Sequence, residues 1–212
     1  MRFADTTALK IAMIEASRAI IAAEPELTRV DSVIGDGDHG IGMKTGFNVL
    51  IEQLSENNFS TPYDLFHAVG LCLVKSMGGS SGVLFGTLFI SGLEEIKDKD
   101  SLNGVDMAAF LSGGIQGVIR RGRANPGDKT MVDALLPAES EMNSALKLTD
   151  DIGQILKAAH KGALSGVEST KNMVSRLGRS KNFREQVIGW PDPGAMSVSI
   201  LLGGLANSLS RD

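Results

Sequence analysis

A chain of 212 residues, 42% hydrophobic and 22% charged, can fill one core and lies near the upper size of a single compact domain. Its formal charge of −4 excludes a nucleic-acid surface, which needs a concentrated positive field, so an anionic ligand would be held locally by Arg groups, helix ends or metal ions. No apolar run reaches the roughly 18–20 residues of a membrane span, and Asp5, Lys10 and Glu15 break up the region where a signal peptide would be apolar; neither a membrane nor export is expected.

In chain order, Asp5 or Thr6 caps a first helix whose apolar residues Leu9, Ala12, Met13, Ala16 and Ile20 recur at three- and four-residue spacing. Arg29–Ile34 passes for one short strand, with no second run to pair with. Thr61-Pro62, a cap followed by proline at the first helical position, opens a segment running to about Met77. Cys72 lies within it in an apolar setting and reads as core filler rather than as a nucleophile. As the one cysteine it forms no intrachain disulfide, which fits a reducing compartment, and a cytoplasmic location is expected.

Further helices are expected over roughly 82–97, 105–121, 129–146, 150–174 and 194–209, with the glycines of Gly113-Gly114-Ile115-Gln116-Gly117 allowing close helix–helix approach. Thr149-Asp150-Asp151 supplies a cap and two acids to one helix start. The chain has no linker, no low-complexity segment and no internal repeat. The expectation is an all-α single domain over residues 1–212, built from about eight helices.

Four breaks, 35–42, 78–82, 122–130 and 189–194, are rich in Gly, Asp, Ser, Asn and Pro, and loops on a rigid scaffold often carry function. In the first, Asp31, Asp36 and Asp38 fall within eight residues, and Gly35, Gly37 and Gly40 let the backbone fold tightly enough for the acids to converge. Hard oxygen donors in this number suit Mg²⁺, which commonly bridges carboxylates to substrate phosphates; the alternative is a solvated acidic turn. An EF-hand fails, because the twelfth position of the loop would be Phe47 or Gly42 rather than Glu. Gly35-x-Gly37-x-x-Gly40 formally fits a dinucleotide fingerprint, yet its two internal carboxylates would repel a pyrophosphate and no βαβ context follows. His39 is either a nucleotide or metal contact or a helix-capping histidine.

Gly78-Gly79-Ser80-Ser81-Gly82 precedes an apolar helix and reads either as an anion site at a helix start or as a plain N-cap by Ser81. Gly122-Arg123-Ala124-Asn125-Pro126-Gly127-Asp128-Lys129-Thr130 is like a P-loop with one residue too many and a helix where the strand should be, so the Walker reading is rejected. Asp128 is expected to cap the helix that follows, with Thr130 or Met131 near a ligand. Arg176 and Arg179 are candidates for phosphate contacts, the alternative being a solvated basic turn. Asp192 caps the helix that opens with Pro193, and Trp190 in the same loop would cover a ligand edge or mark a partner surface.

Taken together, four segments resemble the ADP-binding L subunit of dihydroxyacetone kinases and the equivalent domain of single-chain relatives: Asp31 to Gly40, Gly78 to Gly82 with Leu84-Phe85-Gly86-Thr87, Gly122 to Asp133, and Gly189 to Ser197. The likeness runs from about residue 5 to 209. It implies an antiparallel barrel of eight helices with the nucleotide at one end, and Asp31, Asp36 and Asp38 binding two Mg²⁺ ions that grip the diphosphate. His39, Gly40, Ile41, Gly42, Ser80, Ser81, Gly122, Met131, Arg179, Asp192, Pro193 and Gly194 would line the site for ADP or ATP. Gly42 stands where many relatives carry Asn, and Ser80 where many carry Ala, which bears on side-chain contacts there and on the subfamily.

The resemblance further implies phosphoryl transfer to a sugar held by a separate K subunit, on a chain with no catalytic base of its own and no room for the sugar domain. An M-type phosphotransferase-system subunit would recharge bound ADP. Alternatives are an ATP-exchanging subunit for another substrate, such as a four-carbon ketose or a fatty acid, and a non-catalytic nucleotide-binding regulator. A homodimer stays open.

Overall fold

The computed structural model describes residues 2–210; Met1, Arg211 and Asp212, included in the expected domain, lie outside the described residues. Its nine α-helices among those residues are α1 (Thr6–Ala22), α2 (Glu24–Ile34), α3 (His39–Glu56), α4 (Pro62–Ser76), α5 (Gly79–Ile90), α6 (Gly104–Gly122), α7 (Val132–Ala145), α8 (Ile152–Thr170) and α9 (Pro193–Leu209). Two 3-10 turns, Leu93–Ile96 and Ser180–Val187, complete the helical content. A two-residue antiparallel bridge, β1 (Ala4–Asp5) to β2 (Ser101–Leu102), ties the N-terminus to the segment before α6.

Caps fix the helix starts where the sequence placed them for Asp5, Thr61 and Asp192, while the cap expected at Thr149 falls two residues later, at Asp151, so that α8 starts at Ile152 rather than 150. Asp5 accepts from Ala8 N at 2.8 Å, Thr61 from Asp64 N at 3.1 Å, Asp151 from Gln154 N at 2.9 Å and Asp192 from Ala195 N at 2.8 Å, each satisfying an N–H that the first helical turn leaves unpaired.

The helices close into a ring. Following α1, the neighbours are α3, α4, α5, α6, α7, α8 and α9, and α9 packs back against α1. That is the eight-helix barrel, and α2 is the additional element, lying against α3, α9 and the second 3-10 turn. The core is one continuous apolar cluster centred on Phe66, which stacks on Phe110 (4.6 Å between centroids) and Phe89 (5.9 Å). All three rings are buried; truncating Phe110 to Ala would cost about 3–5 kcal/mol through lost contacts and the cavity left behind. Close approach is built from small residues as expected for α6: a Cβ on Gly114 would overlap the Leu88 carbonyl, and one on Gly117 would overlap the Ser91 side chain.

Several boundaries differ from expectation for local reasons. Arg29–Ile34 is helical, the last part of α2, because Glu24-Pro25-Glu26 starts a helix and Val30 and Ile34, four apart, share the face that meets Val187. The stretch expected over 82–97 divides: α5 ends at Ile90, and Gly92, with its backbone against the Phe110 carbonyl, leads into the 3-10 turn. The helix expected from residue 129 begins at Val132, and the one expected to reach 174 stops at Thr170. Cys72 is buried, and burial pushes its thiol up from the ordinary value, as suits a packing residue.

Candidate functional site

At one end of the ring, the helix starts of α3, α5 and α9 meet around His39, the first residue of α3. Its backbone N–H donates to Asp31 Oδ2 at 3.1 Å, its Nδ1 lies 3.3 Å from Ser81 Oγ at the start of α5, and its Nε2 lies 2.9 Å from Ser197 Oγ in α9. Ser197 donates its one hydroxyl proton to the Pro193 carbonyl at 3.0 Å. It must therefore accept from Nε2–H, which assigns Nδ1 as the acceptor from Ser81. Burial lowers the His39 pKa, opposed chiefly by Asp31, so the neutral ring fits this network. Both ring nitrogens are engaged within the protein, and the histidine acts as a brace between three helix starts.

Beside this brace lies a cavity of about 490 Å³, within the size range of small-molecule sites. Its wall includes the acids Asp31, Asp36 and Asp38 and the apolar Leu84, Phe85, Val118, Ala124, Met131, Val132 and Leu177. The acidic part is set by α2 and the loop that leaves it. Asp31 is held on the last turns of α2, Gly35 follows with no room for a Cβ beside the Asp31 carboxylate, and Gly37 turns the chain with φ +77. One oxygen from each of the three carboxylates can be chosen so that all lie within 4.8 Å of one another. Desolvation, then the charges of Asp36 and Asp31, push the Asp38 carboxyl above its ordinary range, with Arg179 opposing. Such mutual repulsion among hard oxygen donors is what a divalent cation relieves, so these residues fit Mg²⁺.

Around the acids are groups suited to an anion. The α5 N-terminus has no side-chain cap: Gly78 and Gly79, at φ +68 and +58, carry the chain into Ser80 and Ser81, and Ser81 turns to His39 instead of capping. Its first N–H groups are thus left without an intrahelical partner at the cavity wall, the usual anion-binding arrangement. Arg179 reaches in from the opposite lip, with Nε 3.0 Å from Asp36 Oδ2. Asp192, the α9 cap, is buried in the wall; burial, together with Asp133 and Asp31, pushes its pKa up to about 7 against the pull of the Ala195 N–H and of Lys129.

Of the residues expected from the sequence, Asp31, Asp36, Asp38, His39, Ser80, Ser81, Gly122, Met131, Arg179, Asp192, Pro193 and Gly194 are together in this wall. Gly40, Ile41 and Gly42 are not. The start of α3 turns Gly40 against Thr28 and Glu24 of α2, leaves Ile41 exposed outward, and faces Gly42 towards the Met77 carbonyl. Arg176 also stays outside, 3.8 Å from Asp128 and largely exposed. Trp190 neither covers the cavity nor stands free: it packs on the small cluster of Val30, Ile34 and Val187, with Arg29 over its ring at 5.3 Å. Asp128 caps no helix; it accepts from Asn125 N at 2.8 Å, and Asp133 holds the loop by accepting from Gly127 N (2.6 Å) and Thr130 N (2.8 Å). Val118 and Leu177 were not foreseen. The one sequence sign of Val118 is that it stands four residues before Gly122 on the same helix face.

Comparison with known proteins shows the family and the fold. Residues 33–207 match the DAK2 domain. The chain is 37% identical over 188 residues to the ADP-binding subunit of the PEP-dependent dihydroxyacetone kinase of Escherichia coli strain K12, covering 88% of this chain and 90% of that one. It is 33% identical over 205 residues to the L-erythrulose 1-kinase of Mycolicibacterium smegmatis, covering 95% of this chain and 35% of that protein. Among solved structures, the dihydroxyacetone kinase of C. freundii in complex with AMP-PNP and Mg²⁺ superposes with a TM-score of 0.77 at 24% identity, over 98% of this chain and 35% of that one. The chain thus spans about a third of the longer relatives and nearly all of the separate subunit.

Proposed function

Since the chain belongs to the DAK2 domain family, we propose that it is the nucleotide-binding subunit of a dihydroxyacetone-type kinase, a phosphotransferase that works in a complex. The observation that carries this is that three converging carboxylates and the uncapped start of α5 line one cavity together with a set of apolar side chains. That mixed lining suits a nucleoside diphosphate or triphosphate, with the phosphates at the acids and the base against the apolar side chains.

Asp31, Asp36 and Asp38 would hold Mg²⁺, two ions on the family resemblance, and the metal supplies charge neutralisation on the phosphates. The N–H groups at Ser80 and Ser81 and the Arg179 guanidinium take the remaining phosphate charge, while Met131, Leu84 and Leu177 exclude water from the base. His39, neutral and doubly bonded, keeps the three helix starts in register. On the family resemblance the acceptor sugar and the base that activates it belong to a partner, the K subunit. An M-type phosphotransferase subunit is the matching phosphoryl source, by analogy with the PEP-dependent relative. The acceptor is a short ketose; relatives named for dihydroxyacetone and for L-erythrulose both align across this domain. Among the described residues no helix is long and apolar enough to cross a membrane, and the unpaired thiol suits the cytoplasm.

Calorimetry with ADP and Mg²⁺ tests the reading directly. Binding that requires both components supports it; the absence of heat with either nucleotide in the presence of magnesium would overturn it. Turnover of dihydroxyacetone by the isolated chain would contradict the assignment of the sugar site to a partner.

A further inference from the structure

Lys129 stands where a phosphate-binding loop would aim a lysine at its ligand, and although it borders the cavity its ammonium is committed to the protein's own backbone. It is 1% exposed and has φ +58, a left-handed conformation that a residue with a Cβ adopts only when its surroundings demand it. Its ammonium donates to three main-chain carbonyls: Thr170 O at 2.6 Å, Val187 O at 3.0 Å and Trp190 O at 2.6 Å. These belong to three successive pieces of backbone, namely the end of α8, the end of the second 3-10 turn and the loop before α9. An ammonium has three protons, and all three are used.

The segment from α8 to α9, residues 171–192, runs past those carbonyls and is the lip that brings Leu177, Gly178, Arg179 and Ser180 to the cavity. Its other ties cluster at the same place: Gly189 N donates to Lys171 O at 2.7 Å, Asp192 N to Thr170 Oγ1 at 3.0 Å, and Arg176 N to Asp128 O at 3.1 Å. A long irregular segment cannot satisfy its own backbone as a helix does, so its position depends on such outside partners. We propose that Lys129 is a positioning residue, a buried clamp on three carbonyls that fixes the lip in the place from which Arg179 and Asp192 face the cavity.

The effect of the clamp on nucleotide affinity rests on the functional reading above, whereas the clamp itself is visible in the backbone of the lip. The test is hydrogen–deuterium exchange and ADP–Mg²⁺ calorimetry on the full chain and on Lys129→Met, with Lys129→Gln, which keeps a neutral donor, as the milder variant. The expected result is exchange across 171–192 faster by at least about tenfold in Lys129→Met, unchanged exchange in α1 and α4, and ADP affinity lower by at least about tenfold, with Lys129→Gln between the two. If Lys129→Met does not fold, the same contrast read on Lys129→Gln decides. Unchanged protection of the lip overturns the proposal. So does acceleration spread equally over α1 and α4, the mark of a merely structural core residue, and so does a loosened lip that binds ADP as before. If the unaltered chain itself gives no heat with ADP and Mg²⁺, the functional reading fails separately, and exchange alone decides for or against the clamp.

Discussion

Two loops of this molecule look alike on paper and behave in opposite ways. The acidic loop from Gly35 to Gly40 and the loop from Gly122 to Thr130 are both glycine-rich, both carry aspartates and both lead towards a helix. In the first, Asp36 and Asp38 are exposed at the cavity, and the partner of Asp36 is a mobile type of group, an Arg side chain that is itself 77% exposed. In the second, Asp128, Lys129 and Asp133 are buried and fully engaged with main-chain N–H and C=O groups. Charge in a tight turn therefore has two uses: left under-partnered, it is available to a ligand; matched to backbone, it is a means of holding loop geometry. What separates them is where the partners are, which is a tertiary fact.

If the acidic loop is the ligand-facing one, its charges should matter for binding and little for folding. The double substitution Asp36→Asn with Asp38→Asn should lower ADP–Mg²⁺ affinity by about a thousandfold, about 4 kcal/mol, while leaving the melting temperature unchanged or raised, because repulsion is removed. Affinity within about threefold of the parent would break the contrast. Asp192, at the junction of the two regions, gives the next largest effect and a pH signature. Its folded pKa of about 7 lies above the ordinary 3.8. The carboxyl is protonated in both states at pH below 3.8 and adds nothing there; as pH rises to about 7 the unfolded chain ionises while the folded one resists, and stability falls. At most about three pH units at roughly 1.4 kcal/mol each, on the order of 4 kcal/mol, is lost over that window. Asp192→Asn keeps a capping side chain and should flatten this slope in metal-free urea titrations from pH 4 to 8; an unchanged slope would place the titration elsewhere.

Most of the fold was legible because it is written in local chemistry. The caps Asp5, Thr61 and Asp192 are short-range signals, and each was found at its helix start, whereas the cap expected at Thr149 is taken by Asp151. The start of α2 was missed because Val30, Val33 and Ile34 favour a strand locally, and only the packing of Val30 and Ile34 on Val187 and Met196, with Val33 left exposed, shows which face is buried. No helix was expected over α3, which was obscured by Gly40, Gly42 and Gly46, poor helix formers that the helix keeps for close contact, Gly40 with α2 and Gly46 with Met77. In the site, residue types announced the acids, the serines and Arg179. The apolar half did not announce itself, since Val118 and Leu177 look like any core residues until α6 and the lip are set side by side. The inward turn of Lys129 was hidden for the same reason: its three acceptors lie 41, 58 and 61 residues away.

The second loop yields the complementary test, on stability. Asp133→Ala removes two charge-assisted hydrogen bonds, from Gly127 N and Thr130 N, and leaves two N–H groups short of partners in a partly buried turn. A loss of about 3 kcal/mol is expected, a fall in melting temperature of roughly 6–12 °C for a domain of this size. A shift under about 2 °C would mean that the loop is held by something other than its aspartates.

The finest distinction is between two arginines three residues apart. Arg179 lines the cavity and sits 3.0 Å from Asp36, whereas Arg176 is outside it and 3.8 Å from Asp128. Both side chains are about three-quarters exposed, at 77% and 76%, so neither contact contributes much to folding and both single alanine variants should melt within about 2 °C of the parent. Their binding should nevertheless diverge. Removing a guanidinium that can reach a phosphate should cost Arg179→Ala about tenfold in ADP affinity, about 1.4 kcal/mol, whereas Arg176→Ala should stay within about twofold. The difference should shrink at high salt, because the contact is charged and open to solvent. Equal losses in the two variants would mean that the basic turn acts only as a diffuse positive field, and Arg179 would then have no special place in the site.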